Sequence, residues 1–399
     1  MPSRSSLSSS LGRLARRRLT IIVAAAPLVL YAWACSDDPA SSPTEEDAGT
    51  DGASPPNDVD SSADNDSGDV DPADAGDGGQ TSACVGNPLA AEDPADAGDA
   101  GDAGDGGGVT VDGGALKAIA IGEFLDGPQW IDDDAGGAIV YSEVNAQVIV
   151  RNGADGGART VLRATGPGNL PIGNGQTGSY IYTALARTGG NGGGGSILRM
   201  LLDGGAPTGF DAGLANSPND LVASSKGFVY FTDPGFQTSG ISTGVFRLAP
   251  DGSVATITKF DGGVADRADG IALTKDEGTL YVGFFDARRI TKYTIDAEGM
   301  AKDPQTLPIT PIDNPTGIAV DVGGNLWIAE SPMDTAQVRG RVEVFDATGK
   351  RWGEIPFPDS RPTGVAFGGA DGKTVYITTE RGGDDGTLYV MTSRCAGVR

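Results

Sequence analysis

The sequence predicts an all-β fold for residues 115–399, with the strands grouped in repeats. Short runs rich in β-branched and aromatic residues alternate with Asp-Gly, Asn-Gly and Gly-Gly turns, which is typical of antiparallel hairpins. No run of a dozen residues in this region shows the 3.6-residue apolar period of an amphipathic helix. A longer period of 45–50 residues, with about four strands in each unit, overlies the strand pattern. Six such units predict a six-bladed β-propeller.

Residues 1–35 have the organisation of an export signal. Arginines at positions 13 and 16–18 precede an apolar run that ends in small residues before Cys35. The segment Ala32-Trp33-Ala34-Cys35 resembles a bacterial lipoprotein box. This resemblance implies a lipid on Cys35 and a location in the cell envelope, at the outer membrane or the cell surface. An ordinary cleaved signal and an uncleaved anchor are the alternatives.

Residues 36–114 differ from the rest of the chain in charge and composition. They carry 21 acidic side chains and no Lys or Arg, and consist mostly of Asp, Ala, Gly, Ser and Pro. Because large apolar residues are almost absent, we expect a disordered acidic linker between the signal and the propeller. Residues 64–69 begin like a calcium-binding loop. They lack the Glu that such a loop requires after its Gly, so a linker is favoured.

The overall composition excludes several kinds of chemistry. The chain has no histidine, so it cannot form a Ser-His-Asp triad, a Cys-His pair or an imidazole metal site. Its net charge of −25 argues against binding to nucleic acid or to anionic lipid, because polyanions repel such a surface. We therefore expect a monomer that binds small neutral molecules or cations, and that contacts a membrane only through a lipid anchor.

One short unit marks each repeat. It is clearest at three places that are 47 residues apart: Asp269-Gly270-Ile271-Ala272, Thr316-Gly317-Ile318-Ala319 and Thr363-Gly364-Val365-Ala366. The same period, projected towards the N-terminus, finds equivalent positions at Asn219, Asn174 and Asp126. The intervals from Asp126 onward are 48, 45, 50, 47 and 47 residues.

The last repeat lacks one strand, because only nine residues follow Val390. A strand at residues 116–121 precedes the first repeat and can complete the last blade, which removes an open sheet edge. Cys84 and Cys395 flank this closure. In an exported protein, two such cysteines are predicted to form a disulfide, and two free thiols are the alternative.

Two tryptophans and three aspartates of the propeller are predicted to have structural and not catalytic roles. Trp130 and Trp327 are expected to pack between blades. Asp251, Asp276 and Asp321 fall at turns between strands, where we expect their side chains to be solvated.

Equivalent residues of the blades should meet around one mouth of the central channel. All six marking residues carry a side-chain oxygen, and two are carboxylates: Asp126, Asn174, Asn219, Asp269, Thr316 and Thr363. Oxygen ligands with a local charge of about −2 favour a hard cation, calcium first and then magnesium or manganese. The alternative is that Asx and Thr before Gly are ordinary turn residues that bond their own backbone.

Two segments of the third repeat carry a family resemblance. Residues 217–222, Ser-Pro-Asn-Asp-Leu-Val, and residues 227–235, Gly-Phe-Val-Tyr-Phe-Thr-Asp-Pro-Gly, resemble the SMP-30/gluconolactonase/LRE family. The resemblance extends over roughly residues 120–393. It implies a six-bladed, calcium-dependent lactonase like those that include regucalcin.

The resemblance also implies a set of metal ligands: Asp126, Asn219, Asp269 and Thr316. The family usually has Glu at the first of these positions, Asn at the fourth-blade position and Asp at the fifth. Here the residues are Asp126, Asp269 and Thr316. One carboxylate has in effect moved from the fifth blade to the fourth, which leaves the charge of the site unchanged.

The activity implied is metal-assisted hydrolysis of a lactone or a related ester. Because Thr316 cannot act as a base at neutral pH, the expected general base is Asp269, with Asp220 as the second candidate. Asn174, Asn219 and Thr363 are expected to bind the substrate. The alternative is a non-catalytic cell-surface propeller that binds a small ligand or a protein partner. An interaction propeller of the NHL type is a third option.

Overall fold

The computed structural model describes residues 84, 86–89, 109–110, 116–133, 136–188, 194–236, 243–260, 266–309, 312–333 and 338–398. The predicted export signal, the predicted lipid site at Cys35 and most of the predicted linker lie outside these residues. Within the described ranges, no helix is long and apolar enough to cross a membrane.

The strands are numbered in chain order, and two of them precede the repeats: β1 (Val109–Thr110) and β2 (Lys117–Gly122). The first three blades hold four consecutive strands each. Blade one comprises β3 (Leu125–Ile131), β4 (Ala138–Glu143), β5 (Val148–Gly153) and β6 (Thr160–Ala164). Blade two comprises β7 (Asn169–Thr177), β8 (Tyr180–Arg187), β9 (Ser196–Leu201) and β10 (Thr208–Asp211). Blade three comprises β11 (Leu221–Ala223), β12 (Val229–Asp233), β13 (Thr243–Leu248) and β14 (Val254–Phe260).

The other three blades complete the chain. Blade four comprises β15 (Ala268–Leu273), β16 (Thr279–Phe284), β17 (Arg289–Ile295) and β18 (Ala301–Thr306). Blade five comprises β19 (Pro315–Val320), β20 (Leu326–Glu330), β21 (Gly340–Phe345) and β22 (Arg351–Phe357). Blade six comprises β23 (Arg361–Gly368), β24 (Thr374–Glu380) and β25 (Gly386–Thr392), together with β2.

The first strand of each blade lies at the centre of the molecule. These six strands contact one another in a closed ring in the order β3, β7, β11, β15, β19, β23 and back to β3. The predicted six-bladed β-propeller is therefore confirmed. Each of the six buried apolar clusters joins two neighbouring blades. Trp130 stacks on Tyr376 between blades one and six, and Trp327 packs edge-on against Phe367 between blades five and six, as expected.

The N-terminal strand β2 closes the ring. It pairs antiparallel with β25, from Lys117 opposite Val390 to Gly122 opposite Gly386. Blade six is thus built from both ends of the propeller sequence, as the strand count predicted.

Residues N-terminal to position 115, the predicted start of the propeller, already contact it. The structure joins Cys84 to Cys395 in a disulfide, with the two Cα atoms 5.5 Å apart. The main-chain N–H of Arg394 donates to the oxygen of Pro88, and Leu89 is buried against blades five and six. Strand β1 adds to the outer edge of blade five by pairing parallel with β22. Part of the segment assigned to the linker therefore packs on the propeller.

The expectation for Asp321 is wrong. Asp251 and Asp276 are exposed, as predicted, whereas Asp321 is only 1% exposed. Its carboxylate accepts hydrogen bonds from the side chains of Asn325 and Trp327 and from two main-chain N–H groups. The C-terminal segment covers this turn, because Val322 N donates to the oxygen of residue 396. A buried carboxylate with this many donors holds the turn of blade five in place.

Candidate metal and substrate site

In five blades, the residue that marks the repeat lies at or beside a β-bulge of the innermost strand. Pairing with the second strand shifts register at this point in five blades: between Asp126 and Gln129, Pro171 and Asn174, Ala268 and Ile271, Pro315 and Ile318, and Pro362 and Gly364. A bulge bends a strand and re-aims its side chains, so these residues can turn towards the channel. In blade three, Asn219 stands just before β11, and its main-chain N–H donates to the oxygen of Thr232 at 2.9 Å.

In five blades, the glycine beside the marking residue is required by close approach of the next blade; in blade three, Asn219 is followed by Asp220. A Cβ atom on Gly127 would lie 2.2 Å from the main-chain oxygen of Ile172, and one on Gly270 would lie 2.2 Å from that of Thr316. The corresponding glycines of three other blades meet their neighbours in the same way: Gly173, Gly317 and Gly364. The Asx-Gly and Thr-Gly pairs of the sequence thus allow the inner strands to pack around a narrow channel.

Five of the six marking residues line one pocket of about 740 Å³: Asp126, Asn219, Asp269, Thr316 and Thr363. The repeat predicted this convergence, except in blade two: Ile172 lines the pocket there, and Asn174 does not. The apolar part of the wall consists of Phe124, Val144, Ile172, Phe236, Phe285, Met333 and Val338. The pocket therefore combines an oxygen-rich floor with an apolar wall, as substrate pockets commonly do.

A smaller cavity of about 150 Å³ continues the channel. Its lining includes Asn174 and Asp220, and it shares Asp126 and Thr363 with the larger pocket. The carboxylate of Asp220 accepts main-chain hydrogen bonds from Leu221 at 2.9 Å and from Ile271 at 3.2 Å. Asp220, the second candidate base, thus lines the smaller cavity, where it links blades three and four.

Burial disfavours the ionisation of three carboxyl groups around the channel. Burial raises the pKa of Asp126 to about 7. Burial and then the charge of Asp126 raise the pKa of Asp220 to about 8. The pKa of Asp269, which is 4% exposed, lies well above its ordinary value because of burial and the charges of Asp126, Asp220 and Asp286. A cation between these groups would favour their ionised forms.

Residues 124–381 match the family described as "SMP-30/Gluconolactonase/LRE-like region". The chain belongs to the SMP-30/gluconolactonase/LRE-like family. A pentonolactonase from Haloferax volcanii is 32% identical over 183 residues, which cover 44% of this chain and 58% of that protein. The chain spans about half the length of the curated relatives it matches.

Solved structures agree with the fold. A gluconolactonase from Xanthomonas campestris superposes with a TM-score of 0.56 at 25% identity, covering 70% of this chain and 89% of that one. A calcium-binding regucalcin from Agrobacterium tumefaciens superposes with a TM-score of 0.52 at 17% identity, covering 70% of this chain and 95% of that one. The second likeness concerns the fold alone.

The hydrogen bonds divide the marking residues of this SMP-30/gluconolactonase/LRE-like chain into two groups. Three of them bond the main chain of an adjacent blade: Thr316 Oγ1 donates to Pro362 O at 3.0 Å, Thr363 Oγ1 to Leu125 O at 2.6 Å, and Asn174 Nδ2 to Gly127 O at 2.8 Å. Asn174 Oδ1 also accepts from Thr183. Its amide thus links blades one and two, and the predicted role of Asn174 in substrate binding stays a prediction.

The other group faces the pocket. Among the described residues, the amide of Asn219 and the carboxyl of Asp269 have no hydrogen-bond partner, although both residues are more than 90% buried. The carboxyl of Asp126 accepts one hydrogen bond, from the N–H of Gly127 at 2.7 Å. These three side chains therefore keep oxygen atoms available to a ligand.

The side-chain atoms available to bind a metal ion in this pocket are oxygens. Oxygen ligands suit calcium better than a softer metal. The described residues include no group of three or more His, Cys, Asp or Glu side chains that could hold a metal ion. A cation here would depend on two carboxylates, Asp126 and Asp269, together with the amide of Asn219 and the hydroxyl of Thr316. This set fits a hard cation in composition and charge.

Sequence reasoning missed two arginines in the pocket. Arg267 pairs with Asp286 at 3.4 Å, and Arg361 pairs with Glu380 at 2.8 Å. Each arginine stands two residues before the marking residue of its blade, in Arg-Ala-Asp-Gly at 267–270 and in Arg-Pro-Thr-Gly at 361–364. Recurrence of Arg at the same repeat position was the signal that could have revealed them.

Proposed function

We propose that this chain hydrolyses a lactone or a related ester at the larger pocket, with the help of a divalent cation. The observation that carries the proposal is the placement of Asp126, Asn219 and Asp269 in one pocket, where the side chains of the last two form no hydrogen bond with the described residues. Membership of a family with lactonase relatives supports the reaction class. Calcium is the cation we propose, held by these three residues and Thr316.

The cation and the side chains have different roles in the proposed reaction. Calcium, when bound, supplies Lewis acidity to the carbonyl oxygen of the substrate. Asp269 takes a proton from the attacking water, whose oxygen bonds to the carbonyl carbon. The ring C–O bond then breaks, and Asp269 returns the proton to the departing alkoxide, so that the product is a hydroxy acid. Asn219 and Thr363 orient the substrate from the floor of the pocket.

Calcium binding and lactone hydrolysis test the proposal separately. We expect calcium to raise the thermal unfolding temperature, and added chelator to abolish proton release from a panel of lactones. Asp269→Asn should abolish turnover while the protein stays folded. Leu214→Ala, at an exposed apolar residue outside the pocket, is the matched control and should retain full activity. Unchanged turnover in a folded Asp269→Asn variant would overturn the assignment of the base.

A second candidate is a propeller that binds a ligand without chemistry. The observation that favours it is the hydrogen bond of Thr316, whose hydroxyl is engaged by blade six and cannot replace a catalytic carboxylate. Calcium binding without turnover of any lactone or ester would select this alternative.

We further propose that the chain is exported and lipid-anchored through Cys35 in the cell envelope of a bacterium. The support is the order of charge, apolar run and small residues before Cys35. Radiolabelled fatty acid should enter the wild-type chain and should not enter a Cys35→Ala variant. Equal labelling of the two chains would contradict the anchor.

A further inference from the structure

The larger pocket is lined by two exposed apolar side chains. Six large apolar side chains are exposed in the described part of the chain, and two of them, Phe236 and Met333, line this pocket. Phe236 is 38% exposed and Met333 is 58% exposed. An exposed apolar side chain is ordinary when it stands alone, whereas grouping at a pocket mouth marks a binding surface.

The aromatic part of this wall is held in place. Phe236 packs edge-on against Phe285, with the ring centroids 5.2 Å apart. The guanidinium of Arg267 lies over the ring of Phe236 at 5.2 Å. Phe285 itself is buried. Since Phe236 is fixed on two sides, it presents a defined apolar face to the pocket.

The charges of the pocket favour an uncharged substrate. Both arginines are already paired, Arg267 with Asp286 and Arg361 with Glu380. The remaining carboxylates, Asp126 and Asp269, lie at the floor. With a divalent cation bound, these two carboxylates leave the floor without net charge, so it offers no excess positive charge to an anionic substituent. A carboxylate or phosphate on the substrate would have to displace Asp286 or Glu380 from its arginine.

We infer that the substrate is an uncharged lactone or ester that carries an alkyl or aryl substituent, and that this substituent lies against Phe236, Phe285 and Met333. This inference rests on the proposed function. Hydroxyl groups in place of the alkyl group would gain no hydrogen-bond partner from these three side chains, whereas an alkyl or aryl group would bury apolar surface against them. The pocket volume of about 740 Å³ accommodates a ring with such a substituent.

Three lactones with the same six-membered ring test the inference on the full calcium-loaded chain. δ-Valerolactone has no substituent, δ-decalactone has an alkyl chain, and δ-gluconolactone has hydroxyl groups. We expect kcat/KM for δ-decalactone to exceed that for each of the other two by about tenfold or more, because each buried methylene contributes to discrimination.

Substitution of Phe236 and of Met333 tests whether these side chains cause the preference for δ-decalactone. Phe236→Ser and Met333→Ser should each raise KM for δ-decalactone severalfold with little change in kcat, because uniform binding is lost. Neither should alter the kinetics with δ-valerolactone. Leu214→Ser, which removes an exposed apolar side chain between blades two and three, outside the pocket, should leave all three substrates unaffected. Thermal unfolding of each variant checks the fold.

The outcomes distinguish the inference from the function on which it rests. A preference for δ-gluconolactone, or a preference for δ-decalactone that survives both wall substitutions, overturns the inference and leaves the hydrolase in place. Failure of the wild-type chain to hydrolyse any of the three lactones, or other lactones and esters, overturns both.

Discussion

The hydroxyl of Thr363 in blade six donates a 2.6 Å hydrogen bond to the main-chain oxygen of Leu125 in blade one. The two residues are 238 positions apart, and both are buried. Thr363 also lines the larger pocket. One side chain thus contributes to the closure of the propeller and to the wall of the candidate site, so that the geometry of the site depends on ring closure.

Removal of this hydroxyl should destabilise the propeller. Thr363→Val preserves the shape of the side chain but leaves Leu125 O without its donor, at a cost of about 1–3 kcal/mol in the free energy of unfolding. Urea denaturation measures the loss. Thr363→Ser, which keeps the hydroxyl, is the control and should lie closer to the wild type. Equal stability of the Val variant and the wild type would show that the bond is not needed for closure.

The stability of the calcium-free chain should fall as the pH rises towards 8. Asp126 and Asp220 have pKa values of about 7 and about 8 in the folded chain, against an ordinary value of 3.8. Between about pH 4 and pH 8 the folded chain therefore binds more protons than the unfolded chain, and the free energy of unfolding decreases with rising pH. Excess calcium should remove most of this dependence, because it favours the ionised carboxylates.

Thermal unfolding in chelator and in excess calcium, at several pH values from 5 to 9, measures this effect. A change of about 1 kcal/mol in the free energy of unfolding shifts the midpoint of thermal unfolding by roughly 2 °C in a domain of this size. Asp220→Asn removes one of the titrating groups and should flatten the pH dependence in chelator. A midpoint in chelator that rises across this pH range would contradict the assignment.

Reduction of the disulfide should weaken the junction of blades five and six. Cys84 and Cys395 are separated by 311 positions and tie residues 86–89 to the C-terminal segment. Loss of such a cross-link is expected to lower the free energy of unfolding by on the order of 4 kcal/mol. Urea denaturation with and without a thiol reductant tests this value, and a Cys84→Ser, Cys395→Ser double variant should be insensitive to the reductant. Identical denaturation curves for the oxidised and reduced wild type would exclude a stabilising role.

The sequence predicted the features that recur in every blade. The spacing of 47 residues and the strand missing from the last repeat were sufficient for the blade number and for the closure by β2. Convergence of Asp126, Asn219 and Asp269 followed from the same repeat. These features could be predicted because each depends on position within the repeat and not on the identity of distant neighbours.

Features that depend on a single distant contact could not be predicted. Asp321 and the exposed Asp276 both stand at an Asp-X-Gly turn, but Asp321 is covered by the C-terminal segment and bonded by Asn325 and Trp327.

The repeat spacing placed Asn174 at the marking position of blade two, which is wrong: the bulges align Ile172 with Asp269 and Thr316. The amide of Asn174 bonds Gly127, Ser142 and Thr183 instead. Residues outside the repeat motif decide which oxygen faces the pocket.

Exchange of a carboxylate between blades four and five tests whether Asp269 and Thr316 share one cation. The family resemblance implies that a fifth-blade carboxylate is replaced in this chain by Asp269 in blade four. Asp269→Asn should weaken calcium binding by about tenfold or more, because affinity depends on the number of charged ligands. Thr316→Asp should strengthen it for the same reason. The Asp269→Asn, Thr316→Asp double variant retains two carboxylates and should bind calcium within severalfold of the wild type.

Calorimetric titration of calcium into all four chains gives the coupling between the two positions. Thr316→Asn removes the hydroxyl without adding charge, so it controls for loss of the hydrogen bond to Pro362. If both residues contact one ion, the charge added at position 316 compensates for the charge removed at position 269. A double variant that binds calcium as weakly as Asp269→Asn alone would place Thr316 outside the ion's reach, and the ligand set would then reduce to Asp126, Asn219 and Asp269.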